Sequence, residues 1–230
     1  MPQNLTRDVH ALMDLAVQGQ PFDRGYAASI GILPAKLPLL VKNGWLNELS
    51  EDAYLLRGDR PSVEGTVAYL SRHVANLHIA GRSALDRRGI RHFLYVRERV
   101  HLRGTGCFTF PFWAKALLLP RYEQRPLFDS RLDACYAISA LPMKHRDVMV
   151  SHRERAIIEL LADSGRGKLE HATDLISELR TIRPLVLQTL ADHCLRRDLI
   201  QTLLDGLIRN DFGSDVSRAV LRCNPGGDSL

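Results

Sequence analysis

Residues 33–59 read LPAKLPLLVKNGWLNELSEDAYLLRGD, and they carry the clearest signals for the fold of the N-terminal part of the chain. Pro34 lies where a helix can begin, because the first turn of a helix needs no N–H from that position, and Gly44 can end the same helix. Two short strand-like segments follow on either side of a polar turn. The stretch therefore predicts a helix over 34–43, then a hairpin of 46–49 and 53–56.

Two further helices are expected before this stretch. Residues 5–18 place their apolar side chains at helical spacing. Asp23 can cap a short helix over 24–30. An inward face of the third helix is expected from Leu37, Leu40 and Val41, packed together with Trp45. Three helices followed by a hairpin is the element order of a winged helix-turn-helix, so we expect a DNA-binding domain of that kind over residues 1–60.

The remaining residues, 61–230, mix both periodicities. Helical spacing over 62–75 gives way to alternation over 91–103, which predicts a pair of strands with one apolar face and one arginine-rich face. The apolar run 107–119 is expected to combine strand, loop and a short helix. From 151 onward the spacing is helical. The expected fold class is α+β: a winged helix, then a mixed α/β domain that ends in a helical half.

The whole chain has a net charge of +5, and its positive charge is concentrated in the middle. Residues 1–60 hold six Lys/Arg against seven Asp/Glu, and residues 151–230 hold eleven against twelve. Residues 61–150 hold fourteen against seven, and half of those cations are Arg82, Arg87, Arg88, Arg91, Arg97, Arg99 and Arg103. These arginines could simply line a solvated face of a sheet, which is common. They could also contact DNA, because phosphate contacts supply much of DNA affinity. We therefore expect the middle segment to help hold a duplex.

Several other classes of protein are disfavoured by the sequence. No apolar run approaches the roughly 18–20 residues of a membrane span, and the first residues have no apolar signal region, so a cytoplasmic protein without membrane contact is expected. The four cysteines are scattered and are expected to be buried, reduced thiols: Cys107, Cys135, Cys194 and Cys223.

Candidate catalytic and metal-binding groups are few. His92 and His101 could face each other across strands, but no carboxylate or cysteine stands at metal-ligand spacing. His193 and Cys194 are adjacent on a helix, so their side chains should point to different faces. The run 103–106, RGTG, is not followed by a helix start, which a phosphate loop requires. We expect no metal, no cofactor and no enzyme activity.

Three segments carry a resemblance to a known family: 40–46, LVKNGWL, with Tyr54; 78–85, HIAGRSAL, with Arg88-Gly89 and 98–102, ERVHL; and 153–160, RERAIIEL, with Leu179, Arg183-Pro184 and Cys194. In this order they resemble the AbiEi antitoxins of type IV toxin–antitoxin systems, known from abortive phage infection. The family's second glycine before the Ala-Leu helix is Ala80 here. The turn of the wing is acidic, at Glu51 and Asp52.

The resemblance implies a specific function. Such proteins repress their own operon by binding inverted repeats in its promoter, and they counteract a nucleotidyltransferase-like toxin through the C-terminal domain without a stable complex. A monomer that assembles cooperatively on DNA would fit this behaviour. One alternative is a winged-helix regulator or interaction protein without a cognate toxin. Another alternative is an enzyme that acts on nucleotides, but the sequence contains no motif for one.

The candidate DNA contacts follow from both lines of reasoning. Lys36 lies on the outward face of the third helix and could address guanine or a phosphate. Lys42 and Asn43 end that helix and are expected at the DNA backbone. Further phosphate contacts are expected from Arg24, Arg82, Arg97, Arg99 and Arg103. The competing interpretation is a three-helix interaction module whose two lysines are merely solvated.

Overall fold

The computed structural model describes residues 2–90, 99–141, 146–163 and 182–210, with side chains from residue 7 onward. The helices are α1 Pro2–Leu15, α2 Arg24–Ser29, α3 Leu37–Lys42, α4 Val63–Leu70, α5 Gly81–Arg87, α6 Phe112–Leu118, α7 Arg153–Asp163, α8 Pro184–His193 and α9 Arg197–Arg209, with a 3-10 helix at Pro34–Lys36. The strands are β1 Leu46–Ser50, β2 Ala53–Leu56, β3 Ala75–Ile79, β4 His101–Thr105, β5 Arg121–Glu123, β6 Ile138–Ala140 and β7 Met149–Ser151.

These elements form two compact units, and the α+β class expected from the sequence is confirmed. The first takes its described residues from Met1–Ala75, Phe108–Leu119 and Met143–Val148; the second takes them from Asn76–Cys107, Pro120–Pro142 and Met149–Leu230. Across the described ranges, no helix combines the length and apolar character that crossing a bilayer requires.

The first unit contains the expected three helices and hairpin. β1 and β2 pair antiparallel, and Phe22, between α1 and α2, exchanges both backbone hydrogen bonds with Tyr54 of β2. The Asp23 side chain caps α2 by accepting from the Tyr26 N–H at 2.6 Å, as expected. A single apolar core lies beneath these elements, formed by Val9, Leu12, Phe22, Ala27, Ile32, Leu37, Leu40, Leu46 and Tyr54.

Two expectations about the third helix are wrong. The continuous helix over 34–43 is split into the 3-10 helix and α3, because Pro38 has no N–H to donate and its ring crowds the carbonyl one turn earlier. Trp45 does not pack inward and is 42% exposed. Gly44, at φ +72°, turns the chain at the end of α3 and directs β1 away from it.

The helix α4 packs onto the winged helix. An added Cβ on Gly65 would stand 2.3 Å from the Gly19 carbonyl oxygen, so the helix and the turn at Gly19 meet backbone to backbone. The Ser62 N–H also donates to that carbonyl at 2.8 Å. These contacts cross the boundary expected after residue 60, and the division into domains 1–60 and 61–230 stays a prediction.

The second unit is built on a five-stranded sheet in the order β5-β4-β3-β7-β6. β4 and β5 are parallel, β3 and β7 are parallel, and β6 runs antiparallel to β7. The helix predicted over 62–75 is too long, since α4 ends at Leu70 and β3 begins at Ala75. Residues 91–98 of the predicted strand pair, and the helix predicted around Leu175, lie outside the described residues.

A buried carboxylate lies at the centre of the second unit. Glu159 on α7 is fully buried and accepts four hydrogen bonds. They come from His78 Nε2 at 3.1 Å, the Gly81 N–H at 3.0 Å, Ser151 Oγ at 2.9 Å and Arg155 Nε at 2.9 Å. One side chain therefore joins α7 to β3, to the start of α5 and to the end of β7.

Gly81 can present its N–H to Glu159 because of its backbone conformation. Its φ is +48°, in the left-handed region that glycine adopts without strain. Ala80, where the AbiEi resemblance leads one to expect glycine, is extended at φ −124°, which any residue adopts. The departure at Ala80 therefore costs the fold nothing, whereas a side chain at Gly81 would strain the turn.

Charge keeps Glu159 ionised in spite of its burial. Burial by itself would raise the pKa of Glu159, but the hydrogen bond from His78 and the charges of His78, Arg155 and Arg103 outweigh it and lower the pKa from 4.5 to about 2. The unfolded chain then binds more protons than the folded chain between these two values. The contribution of Glu159 to stability is therefore complete above pH 4.5 and is lost as the pH falls towards 2.

Glu159→Ala is expected to lower the free energy of unfolding by roughly 3–5 kcal/mol, because it leaves buried cationic partners without their carboxylate. Urea denaturation measures this loss. Asp192→Ala, at an exposed position of α8, is the matched control and should stay within roughly 0.5 kcal/mol of wild type. Wild type should also lose stability more steeply than Glu159→Ala on acidification below pH 4.5. Parallel pH profiles would contradict the role given to Glu159.

Candidate nucleic-acid interface

The core of the first unit fixes α3 with one face outward. Leu37 and Leu40 are fully buried, while Lys42 and Asn43 are exposed at its C-terminal end. The α2–turn–α3 segment passes through Gly31, at φ +86°, and returns to the core at Ile32. This arrangement presents a short helix to solvent on a rigid support, as a recognition helix requires.

The outward face of this segment is more apolar than expected from the sequence, where its polar residues Lys36, Lys42 and Asn43 are the predicted DNA contacts. Leu33 is 63% exposed and Leu39 is 48% exposed. Ala35 and Pro38 are exposed beside them. An apolar side chain can contact the methyl group of thymine in the major groove. The face therefore offers van der Waals contacts as well as the polar groups at its C-terminal end.

Two of the predicted DNA contacts are held by carboxylates. Lys36 Nζ lies 2.6 Å from Asp8 Oδ2 on α1, and the Asp8 side chain is only 8% exposed. The Arg24 guanidinium lies 3.5 Å from Asp52 Oδ1 at the turn of the wing, and the Arg24 N–H donates to the same oxygen at 3.0 Å. Both cations support the fold of the first unit, and the charge of each is matched by a carboxylate.

A basic corner forms at the C-terminal end of α3. Arg57, at the end of the hairpin, is exposed, and its Nη1 donates to the Gly44 carbonyl at 3.2 Å. It therefore lies beside Lys42 and Asn43. Sequence reasoning missed Arg57 because it looked like part of a linker. The antiparallel pairing of Leu46 with Leu56, which brings the two ends of the hairpin together, was the available signal.

The turn of the wing is tied down within the first unit. Burial raises the pKa of Tyr69 to about 12, with Asp23 and Asp52 adding to the shift, so its hydroxyl keeps the proton that it donates to the Asp52 carbonyl at 3.2 Å. Trp113 Nε1 on α6 donates to Ser50 Oγ at 3.0 Å. An anchored acidic turn is poorly suited to phosphate contact.

The central arginines lie in the second unit and have separate environments. Arg88 donates to three oxygens, those of Ser151, Val150 and the Ser139 hydroxyl, at 2.6–3.3 Å, so it joins α5 to the sheet. Arg82 is half-buried in the first turn of α5, and Arg99 is exposed. Arg97 lies outside the described residues.

Arg103 is used inside the second unit. It is 7% exposed, and its Nη2 lies 2.8 Å from Asp163 Oδ1. A guanidinium in this position has its charge matched by a carboxylate and has little surface to offer a phosphate. The expectation of a DNA contact at Arg103 therefore does not enter the interface proposed below.

The groups considered for catalysis are engaged in structural contacts. His193 Nδ1 lies 3.0 Å from Asp129 Oδ1, while Cys194 is buried with its thiol 3.5 Å from the Arg196 carbonyl, so the two side chains do point apart. Burial raises the pKa of the Cys194 thiol, which disfavours a nucleophilic thiolate. His101 Nδ1 lies 3.6 Å from Asp163.

The expectation of buried thiols is right for Cys194 and wrong for two others. Cys107 and Cys135 are exposed, and all three are free thiols. Cys107 follows Gly106, whose φ of +88° turns the chain at the end of β4. The RGTG run therefore ends a strand and leads into a loop before α6. Cys223 lies outside the described residues.

Two family models match successive parts of the chain. Residues 6–96 match "Transcriptional regulator, AbiEi antitoxin N-terminal domain", and residues 97–203 match "Transcriptional regulator, AbiEi antitoxin, Type IV TA system". Comparison with curated protein sequences gives no significant match.

A solved structure has a similar fold. It is the crystal structure of the RV2827C protein from Mycobacterium tuberculosis, with a TM-score of 0.55 and 15% sequence identity, covering 95% of this chain and 80% of that chain. At this identity the likeness shows the fold alone. The two family matches, by contrast, follow one another over most of the chain, which belongs to the AbiEi antitoxins of type IV toxin–antitoxin systems, a family of transcriptional regulators.

Proposed function

We propose that this protein represses its own operon by binding inverted repeats in the promoter, with α3 in the major groove. The observation that carries the proposal is the exposed face of α3 on the apolar core of a winged helix. Lys42, Asn43 and Arg57 at the basic corner contact the DNA, and Arg82, Arg97 and Arg99 add phosphate contacts. Lys36, Arg24 and Arg103 are left out because carboxylates already hold them.

The proposal assigns sequence readout to the exposed apolar face of the α3 segment. Lys42, Asn43 and Arg57 contact the DNA backbone, where Lys42 and Arg57 can neutralise phosphates. Leu39, with Ala35 and Pro38 beside it, packs on thymine methyl groups. The protein acts by binding and not by catalysis. It is a cytoplasmic monomer that assembles cooperatively on repeated half-sites.

Replacing operator thymines one at a time with deoxyuridine removes single methyl groups and tests this readout. Where the methyl group of a thymine is buried against Leu39, replacing that thymine should weaken binding of the operator about fourfold. This factor corresponds to the free energy of burying one such group. Fluorescence anisotropy with the full chain measures the affinities. In Leu39→Ala, the same replacement should have little further effect.

Leu185→Ala is the matched control, because Leu185 is 78% exposed on α8 in the other unit. It should keep the wild-type response to deoxyuridine. Uniform affinity for every deoxyuridine operator would contradict thymine readout. Equal losses of operator affinity in Leu39→Ala and Leu185→Ala would contradict the assignment of the recognition surface to α3.

The proposal also includes a partner that is functional but not held in a stable complex. That partner is a nucleotidyltransferase-like toxin, which the protein counteracts by a route other than sequestration. DNA binding and protection are then separable. A winged-helix regulator without any toxin is the alternative, and the absence of a nucleotidyltransferase gene beside this one would favour it.

Full-length Lys42→Ala/Asn43→Ala should lose repression of the promoter but still rescue cells that express the neighbouring toxin, because the substitutions touch only the basic corner. A reporter assay and a growth assay measure the two outcomes. The purified toxin and the wild-type chain should elute separately on gel filtration at micromolar concentration. Co-elution would instead indicate sequestration, and loss of rescue together with repression would tie protection to DNA binding.

A further inference from the structure

A cavity in the second unit is lined by charged residues that have no role in the proposed regulator function. Its volume is about 600 Å³, within the range of small-molecule sites. It is lined by Arg87, Arg88, Gly89, Leu141, His152, Arg153, Glu154 and Arg183. With His152 neutral, the described residues of the lining include four arginines and one glutamate, so this part of the lining is positively charged.

Arg183 is paired with the glutamate of the cavity. Arg183 Nη2 lies 2.9 Å from Glu154 Oε2, and its Nε lies 3.0 Å from Oε1, which gives a two-point ion pair. Arg88 is fixed by neutral oxygens, those of Ser151, Val150 and Ser139, which orient the guanidinium without cancelling its charge.

Burial and the neighbouring arginines both shift the pKa of groups in the cavity, and Glu154 partly opposes these shifts. Burial lowers the pKa of Arg88, and repulsion by Arg183 and Arg153 lowers it further. Burial also lowers the pKa of His152, and Arg88 and Arg183 add to that shift. The cavity also lies at the N-terminal end of α7, which begins at Arg153 and whose dipole is positive there.

We propose that this cavity binds a condensed phosphate group, such as the di- or triphosphate of a nucleotide or inorganic polyphosphate. Arginine is suited to such a ligand because its planar donors can bind phosphate oxygens in pairs. A triphosphate concentrates three or more negative charges in one small volume, which suits a cavity whose described lining holds four arginines. A DNA strand carries one charge per roughly 3.4 Å and would bring fewer of them into one cavity.

Isothermal titration of the full chain with inorganic tripolyphosphate tests the proposal, with citrate as a trianion that lacks phosphate. We expect saturable binding of tripolyphosphate and much weaker binding of citrate. ATP and adenosine identify the source. Binding of ATP but not adenosine indicates a nucleotide, and binding of tripolyphosphate without ATP indicates inorganic polyphosphate; either result supports the phosphate chemistry.

Arg87→Gln/Arg153→Gln should weaken tripolyphosphate binding by at least about tenfold, since two charge-assisted contacts are lost. Arg131→Gln/Arg196→Gln is the matched control, because it removes the same charge from exposed positions of the same unit that do not line the cavity. The control should bind as wild type does. Equal losses in both variants, or no binding by wild type at millimolar ligand, would overturn the proposal.

Two further measurements cover the other outcomes. If the cavity variant does not fold by circular dichroism, hydrogen exchange of the wild-type chain decides: protection by tripolyphosphate should centre on residues 87–89 and 152–154, and protection elsewhere overturns the site. Excess random duplex should not displace tripolyphosphate. Displacement by duplex, together with a smaller salt dependence of duplex binding in the cavity variant, would assign these arginines to the DNA backbone instead.

Discussion

The fold of the second unit depends on the buried carboxylate of Glu159. Its four hydrogen-bond donors come from β3, the start of α5, the end of β7 and the preceding turn of α7. A carboxylate buried without partners would be expensive, so these elements must be placed correctly before the charge is tolerated. The same constraint explains Gly81, whose left-handed backbone turns its N–H towards the carboxylate. The arginine-lined cavity lies at the start of the same helix, α7.

The two units are suited to different tasks. The first buries an apolar core that holds α3 rigid and leaves a narrow basic corner exposed. Other charges of this unit are matched by carboxylates within it, as in Lys36 with Asp8 and Arg24 with Asp52. The second unit holds many of the chain's arginines, but several serve its own packing, above all Arg88, Arg103 and Arg155. A count of positive charge along the chain therefore overstates the surface available to DNA.

Local signals predicted the elements whose cause is local. Asp23, Gly44 and the hairpin residues act within a few positions of themselves, and the winged helix followed from them. Pro38 indicates a break in the third helix, but the helical spacing of its apolar side chains favours a continuous one. The strands β5, β6 and β7 have three residues each, too few for alternation to be recognised. The pairing of Lys36 with Asp8 spans 28 positions, and Glu159 meets His78 across 81, so no local pattern could predict either.

Repression by this protein, as proposed, requires α3 and the basic corner to dock on promoter DNA. Hydrogen exchange of the full-length protein, with and without a duplex carrying its own promoter, tests this docking. The promoter should protect residues 34–43 and the peptide containing Arg57 more strongly than a scrambled duplex does, because specific docking buries the backbone of α3. Protection confined to the second unit, with residues 24–60 exchanging as in the free protein, would contradict it.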